Sequence, residues 1–164
     1  MSVNKYLPHV LVLPEDDANR QLANGFILDH NLSTRKIQVL EVAGGWDEAV
    51  TQFLDDHVAG MGIYAHRFMV LLLDFDGRAN RLQDVQARIP GDLAERVFVL
   101  GALTEPEALG QCRLGSYEEI GLAMARDCRE ETDTIWGHDL LRHNESELVL
   151  LRESVRPILF PSGL

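Results

Sequence analysis

Lysine is nearly missing from this sequence. Lys5 and Lys36 are the only two, and all further basic side chains are arginine or histidine. With 15 Lys and Arg against 26 Asp and Glu, the formal net charge is -11, which excludes a protein that holds nucleic acid through a broad basic face. Cys112 and Cys128 are too few and too far apart for a zinc site or a disulfide framework, so both read as free thiols. No apolar run approaches the roughly eighteen residues of a membrane-spanning helix. The opening MSVNKYLPHVLVL lacks the basic region, long apolar segment and small-residue cleavage site of an export signal. The expectation is a soluble, cytoplasmic protein with no membrane partner. A phosphate-binding loop of the G-x-x-x-x-G-K-[ST] type is also absent, which leaves no ATPase built into these residues.

What is present suits one α/β domain over residues 1–164, because a chain of 164 residues with 46% apolar content can bury a single substantial core. Four short apolar runs read as buried parallel strands: HVLVL at 9–13, IQVLEV at 37–42, FMVLLLD at 68–74 and RVFVLG at 96–101. The intervening segments DANRQLANGFILDHN, WDEAVTQFLDDHVAG and NRLQDVQARIP read as helices. Asp16 or Asp17 caps the first, the Gly44-Gly45 turn enters the second with Gly60 as its stop, and Pro90 closes the third. Alternation of this kind predicts a three-layer α/β/α fold around a parallel sheet of about four strands, with right-handed crossovers. After the fourth strand the pattern turns helical, with a helical C-terminal region over about 111–164: EPEALGQ, SYEEIGLAMARDCREET with a Ser116/Glu119 capping box, TIWGHDLLRHN, and ESELVLLRESV capped by Asn144. Trp136, Leu140 and Leu141 fit the core better than an interface.

In a parallel sheet, chemistry gathers where strands end. The first strand delivers Glu15, Asp16 and Asp17, the third Asp74 and Asp76 in LLLDFDGR, and the fourth is followed by Thr104, Glu105 and Glu107. Carboxylates aimed at one edge repel one another unless a cation sits among them, and oxygen donors select Mg²⁺ or Mn²⁺ over zinc. Arg78, directly after the acidic pair, carries a planar fork suited to phosphate, with an ion pair to a neighbouring acid as the alternative use. The histidines have no ligand spacing; His138 and His143 are five apart and off one helical face. Of them, only His66, beside the third strand, is close enough in sequence to suggest a local role.

The series VLPEDDANRQL, VAGGWDEAV, VLLLDFDGR and VFVLGALTEPEAL resembles the Toprim domain as found in overcoming-lysogenization-defect nucleases and in topoisomerase and primase catalytic domains. The likeness spans about residues 9–110. It implies Glu15 as metal ligand or general acid/base, Asp74 and Asp76 as the metal-binding Asp-x-Asp, Glu105 or Glu107 as a later acidic position, and Gly44 or Gly45 as a close-approach turn. Asp16 stands where many relatives place a glycine. The implied chemistry is Mg²⁺- or Mn²⁺-dependent phosphodiester cleavage or transfer on a nucleic-acid substrate, with any ATPase or DNA-binding function in a separate partner protein. A homo-oligomer is left open.

The same residues also resemble a response-regulator receiver domain. That likeness implies Asp16 and Asp17 holding Mg²⁺, Asp74 accepting a phosphoryl group and Thr104 as switch hydroxyl. The family's strand-five lysine has no counterpart after Lys36, which points toward a degenerate receiver-like signalling module. A third alternative is a non-catalytic interaction protein that uses its acids structurally.

Overall fold

In a computed structural model of the chain, which describes residues 2–78 and 80–161, the strands β1 (His9–Pro14), β2 (Ile37–Val39), β3 (Arg67–Leu72) and β4 (Val97–Leu100) form one sheet in the order β2-β1-β3-β4. Every pairing is parallel. Val10 lies against Ile37 on one side and Phe68 on the other, and Leu72 against Leu100. Because both faces are covered, the strands are apolar at successive positions. Val10, Val12, Val70, Leu72, Phe98 and Leu100 enter one core, while Leu11, Leu13, Met69, Leu71, Val97 and Val99 enter the other.

The first core is closed by α1 (Asp17–Phe26), α6 (Tyr117–Glu130), α7 (Glu145–Ser154) and α8 (Arg156–Leu159), through residues such as Leu22, Met124, Leu151 and Leu159. The second is closed by α2 (Trp46–Gln52), a π-helical turn at Phe53–His57, α3 (Val58–Ile63) and α4 (Arg81–Gln86), through Ala49, Phe53, Met61 and Val85. The short α5 (Pro106–Gln111) follows β4. The result is the expected three-layer α/β/α arrangement. Helices α1 and α6 touch along their backbones: a Cβ on Gly25 would sit 2.1 Å from Glu118 O, and one on Gly121 2.0 Å from Leu22 O, so neither position tolerates a side chain without separating the helices.

Several expected boundaries shift. β2 ends at Val39, well short of residue 42; α1 stops at Phe26; and the second helix runs past Gly60 to Ile63 through the π turn. α4 is confined to Arg81–Gln86. The segment TIWGHDLLRHN is not a helix but a series of turns ending in a 3₁₀ turn at Arg142–Asn144. Its shape is set by the buried Asp127, which accepts from Thr132 Oγ1 at 2.7 Å, Ile135 N at 2.7 Å and Trp136 N at 3.1 Å. Bending the chain around that carboxylate lets Trp136 and Leu141 reach the core, while Leu140 is partly buried.

The outer edge of β4 is finished by side chains. Glu147 Oε1 accepts from Val99 N at 3.0 Å; Asn144 Oδ1 accepts from Gly101 N at 3.1 Å, and Asn144 Nδ2 donates to Gly101 O at 3.0 Å. Asn144 precedes α7, as expected of a cap, yet its amide serves the strand and leaves the helix end without a side-chain bond. No described helix is long and apolar enough to cross a membrane.

Candidate metal centre at the carboxyl edge of the sheet

The strand order reverses between β1 and β3, and such a switch point opens a crevice beyond the carboxyl ends of the two strands. Glu15 extends β1, its N–H donating to Leu72 O at 2.9 Å. Asp16 adopts extended geometry as the N-cap of α1, its carboxylate accepting from Asn19 N at 3.0 Å. Asp74 lies just beyond β3. Helix capping and strand polarity together thus bring Glu15, Asp16 and Asp74 to one point, where a carboxylate oxygen of each lies within 4.8 Å of the others.

Each of these groups is anchored through one oxygen. Asp74 N donates to Glu15 Oε2 at 2.6 Å. Asn19 Nδ2 donates at 2.9 Å both to Asp16 Oδ1 and to Asp74 Oδ1. Glu15 Oε1, Asp16 Oδ2 and Asp74 Oδ2 accept no hydrogen bond among the described residues. Glu15 retains 9% of its surface, Asp74 6% and Asn19 none, so the carboxylates meet largely out of water.

That burial pushes Asp74 up to about 7, against a bond from Asn19 that favours the ionised form, and Glu15, Asp16 and Asp76 add their repulsion. Glu15 is raised as well, first by burial and then by Asp16 and Asp76, while the Asp74 N–H and the Arg81 guanidinium oppose the rise. A crowd of acids in this condition is relieved by a proton or by a cation.

Asp76 takes a different position from the other acids. Its backbone is left-handed at φ 51, which an aspartate tolerates better than most residues. Its half-exposed carboxylate accepts from Arg81 Nη1 at 3.1 Å. Arg81 is buried, also donates to Asp74 O at 3.0 Å, and lies with its Cζ 4.0 Å from the centre of the Trp46 ring. The glycine turn from β2 closes the crevice: Gly44 N donates to Glu15 O at 2.8 Å, and its φ of 103 is a conformation that glycine adopts without strain.

No family model, curated protein or solved structure matches the chain. The site therefore stands on its own geometry.

Of the residues singled out from sequence, Glu15 and Asp74 meet at the centre and Asp76 flanks it. Glu105 and Glu107 are exposed and lie outside the three-carboxylate group. Arg78 is exposed; the guanidinium in the site is that of Arg81, one helical turn onward. Asp17 faces solvent in an ion pair with Arg20. His66 precedes β3 and is exposed at the opposite end of the strand from Asp74. Asn19 was not anticipated, although its position three residues after an N-cap aspartate was a signal. Arg81 had no such signal, because nothing in DFDGRANR says which arginine turns inward.

The donor set suits Mg²⁺ or Mn²⁺. Octahedral ligand oxygens about 2.1 Å from the metal lie about 3 to 4 Å apart, which small rotations of three carboxylates within 4.8 Å would reach. All three donors are hard oxygens, and each carboxylate also accepts a hydrogen bond from a protein N–H, as ligands held by an outer shell do.

Proposed function

We propose that this chain is a divalent-metal-dependent phosphodiester-processing domain of the Toprim-like kind, acting on nucleic acid with a separate partner subunit that supplies ATPase or DNA-binding function. The observation that carries the reading is the convergence of Glu15, Asp16 and Asp74, each with one tethered and one unshared oxygen, at the switch point of the sheet. Glu15 Oε1, Asp16 Oδ2 and Asp74 Oδ2 would hold Mg²⁺ or Mn²⁺, which when bound supplies Lewis acidity and a more acidic water. Asn19 spaces Asp16 from Asp74. Arg81 holds the turn that carries Asp76, and its charge moderates the local repulsion. Where Glu15 is not a ligand, its carboxyl, raised first by burial, suits the other role the resemblance implies, proton transfer to or from a reacting oxygen.

The test is cleavage of supercoiled plasmid and of bis-p-nitrophenyl phosphate in Mn²⁺, alongside calorimetric Mn²⁺ binding. Wild type is expected to bind and cleave, and Asp74→Asn and Asp16→Asn to lose both. Absence of wild-type binding at millimolar Mn²⁺, or full cleavage by Asp74→Asn, overturns the reading.

One observation favours a receiver-like alternative. The hydroxyl of Thr104, beyond β4, is buried without a hydrogen-bond partner among the described residues, as a group waiting for an oxyanion on Asp74 would be. Acetyl phosphate would then add one phosphoryl group to Asp74, read by intact mass, and Asp74→Asn would block it.

A further inference from the structure

The amino-terminal edge of the sheet carries a surface that the acidic site does not use. Tyr6 and Tyr64 meet edge to face with centroids 5.9 Å apart. Lys5 Nζ lies 5.9 Å from the Tyr6 ring centre and 5.4 Å from that of Tyr64, and Arg67 Cζ lies 4.6 Å from Tyr64. Tyr6 is 78% exposed, Ile63 73% and Leu7 50%. A large apolar and aromatic patch left in water is a mark of an interaction surface.

The patch is held in shape from below. Arg96 donates to the carbonyls of Met61 at 2.9 Å, Arg67 at 3.0 Å and Tyr64 at 3.2 Å, fixing the turn between α3 and β3. Arg67 Nε donates to His9 Nε2 at 2.9 Å, and the other ring nitrogen of His9 lies 2.7 Å from Leu7 O, which ties the leading segment to the same platform. Its charge is positive and unanswered: neither Lys5 nor Arg67 forms a salt bridge among the described residues, on a chain whose net charge is -11.

We infer that this surface docks a partner polypeptide that presents an aromatic or aliphatic side chain flanked by carboxylates. Tyrosine and arginine around exposed aliphatic groups are the composition of protein-binding hot spots. Two cations beside Leu7 and Ile63 are too few to neutralise a phosphate backbone against the charge of the whole chain. A symmetric pairing of two copies through this patch would set one positive patch against another of the same sign. An acidic polypeptide meets both the apolar and the cationic features.

The experiment is fluorescence anisotropy of a fluorescein-labelled random glutamate–tyrosine copolymer titrated with the full chain at about 50 mM salt, where screening is modest. Polyglutamate and a labelled oligothymidine are run in parallel. Saturable copolymer binding is expected, stronger than for either comparison polymer. It should weaken at least about tenfold in Lys5→Glu and in a Tyr6→Ser/Ile63→Ser double variant, and should be unchanged in Asp74→Asn. Lys5, Tyr6 and Ile63 are exposed and Asp74 is buried, so thermal melts serve to confirm that all the variants fold. Three results each overturn the proposal: copolymer binding that is absent or indifferent to these substitutions; tighter binding of oligothymidine; or sedimentation showing concentration-dependent self-association that Lys5→Glu abolishes.

Discussion

The two ends of the sheet invert each other. At the carboxyl end, Glu15 and Asp74, both buried, crowd together with the half-buried Asp16, and Asp76 lies beside them. At the amino end, about 20 Å away along the six-residue β1, Lys5 and Arg67 lie against the half-buried Tyr64 ring with no acid in salt-bridge contact with either among the described residues. The acidic end gathers charges that repel and so holds unfavourable free energy that a cation would release. The basic end fixes its cations on aromatic faces and lets Arg96 satisfy backbone carbonyls. The carboxyl end gathers its strain among acids and the amino end only at His9, whose imidazole is held below its ordinary value by burial and by Arg67, so metal, and pH above neutrality, should act almost entirely on the first.

The largest effect expected is metal-linked. Mn²⁺ at about one thousand times its dissociation constant should stabilise wild type by about 4.1 kcal/mol, a rise in Tm of about 8 to 16 °C for a chain of this size. Asp74→Asn should remove the rise, and Arg96→Ala should retain it. Equal metal responses in both variants would erase the contrast between the ends.

Next comes the response to pH without metal. Asp74 is held near 7 in the fold against an ordinary 3.8. The protonated carboxyl is therefore the form that the fold favours: its contribution is complete below about 3.8 and is lost as pH rises through 7. The amide introduced by Asp74→Asn mimics that protonated form. The variant should match wild type near pH 4 and exceed its stability at pH 8 by on the order of 2 to 4 kcal/mol, as read by urea unfolding. A gap that widens toward low pH has the wrong sign and would refute the strain.

Arg96→Ala should cost about 2 kcal/mol by stranding carbonyls of Met61, Tyr64 and Arg67. Since no carboxylate partners Arg96 in these bonds, the loss should be the same at pH 7 and pH 9. The smallest effect is reserved for the exposed acids at the start of α5: Glu105→Gln and Glu107→Gln should each change Mn²⁺ affinity less than about threefold, a surface-charge effect. A loss of tenfold or more would bring those residues back into the site.

The acidic end was far more legible in the sequence than the basic one. Strands of consecutive apolar residues announce a sheet covered on both sides, and a parallel sheet collects its strand-end residues at one edge, so Glu15 and Asp74 followed from order alone. Burial then separated Asp74 from Asp76, a distinction that depends on the left-handed turn at Asp76 and the inward path of Arg81. Glu105 and Glu107, at the start of α5, stay in solvent and outside the three-carboxylate group, a difference of exposure that their place after β4 does not encode. The amino end carried no comparable signal: Lys5 and Tyr6 reach Tyr64 across nearly sixty residues of sequence, and no periodicity encodes that meeting. TIWGHDLLRHN had helical spacing, but the buried Asp127 drew its backbone N–H groups into another arrangement.

The covering of β4 has a consequence for how the chain is made. Val99 and Gly101 find their acceptors and donor only in Glu147 and Asn144, which lie 48 and 43 residues downstream. At a synthesis rate of about 5 to 20 residues per second, a nascent chain displays that strand edge bare for roughly two to ten seconds. During that interval a neighbouring nascent chain can pair where α7 belongs, so slow translation of the last quarter of the message should favour aggregation even though the finished protein has that edge closed.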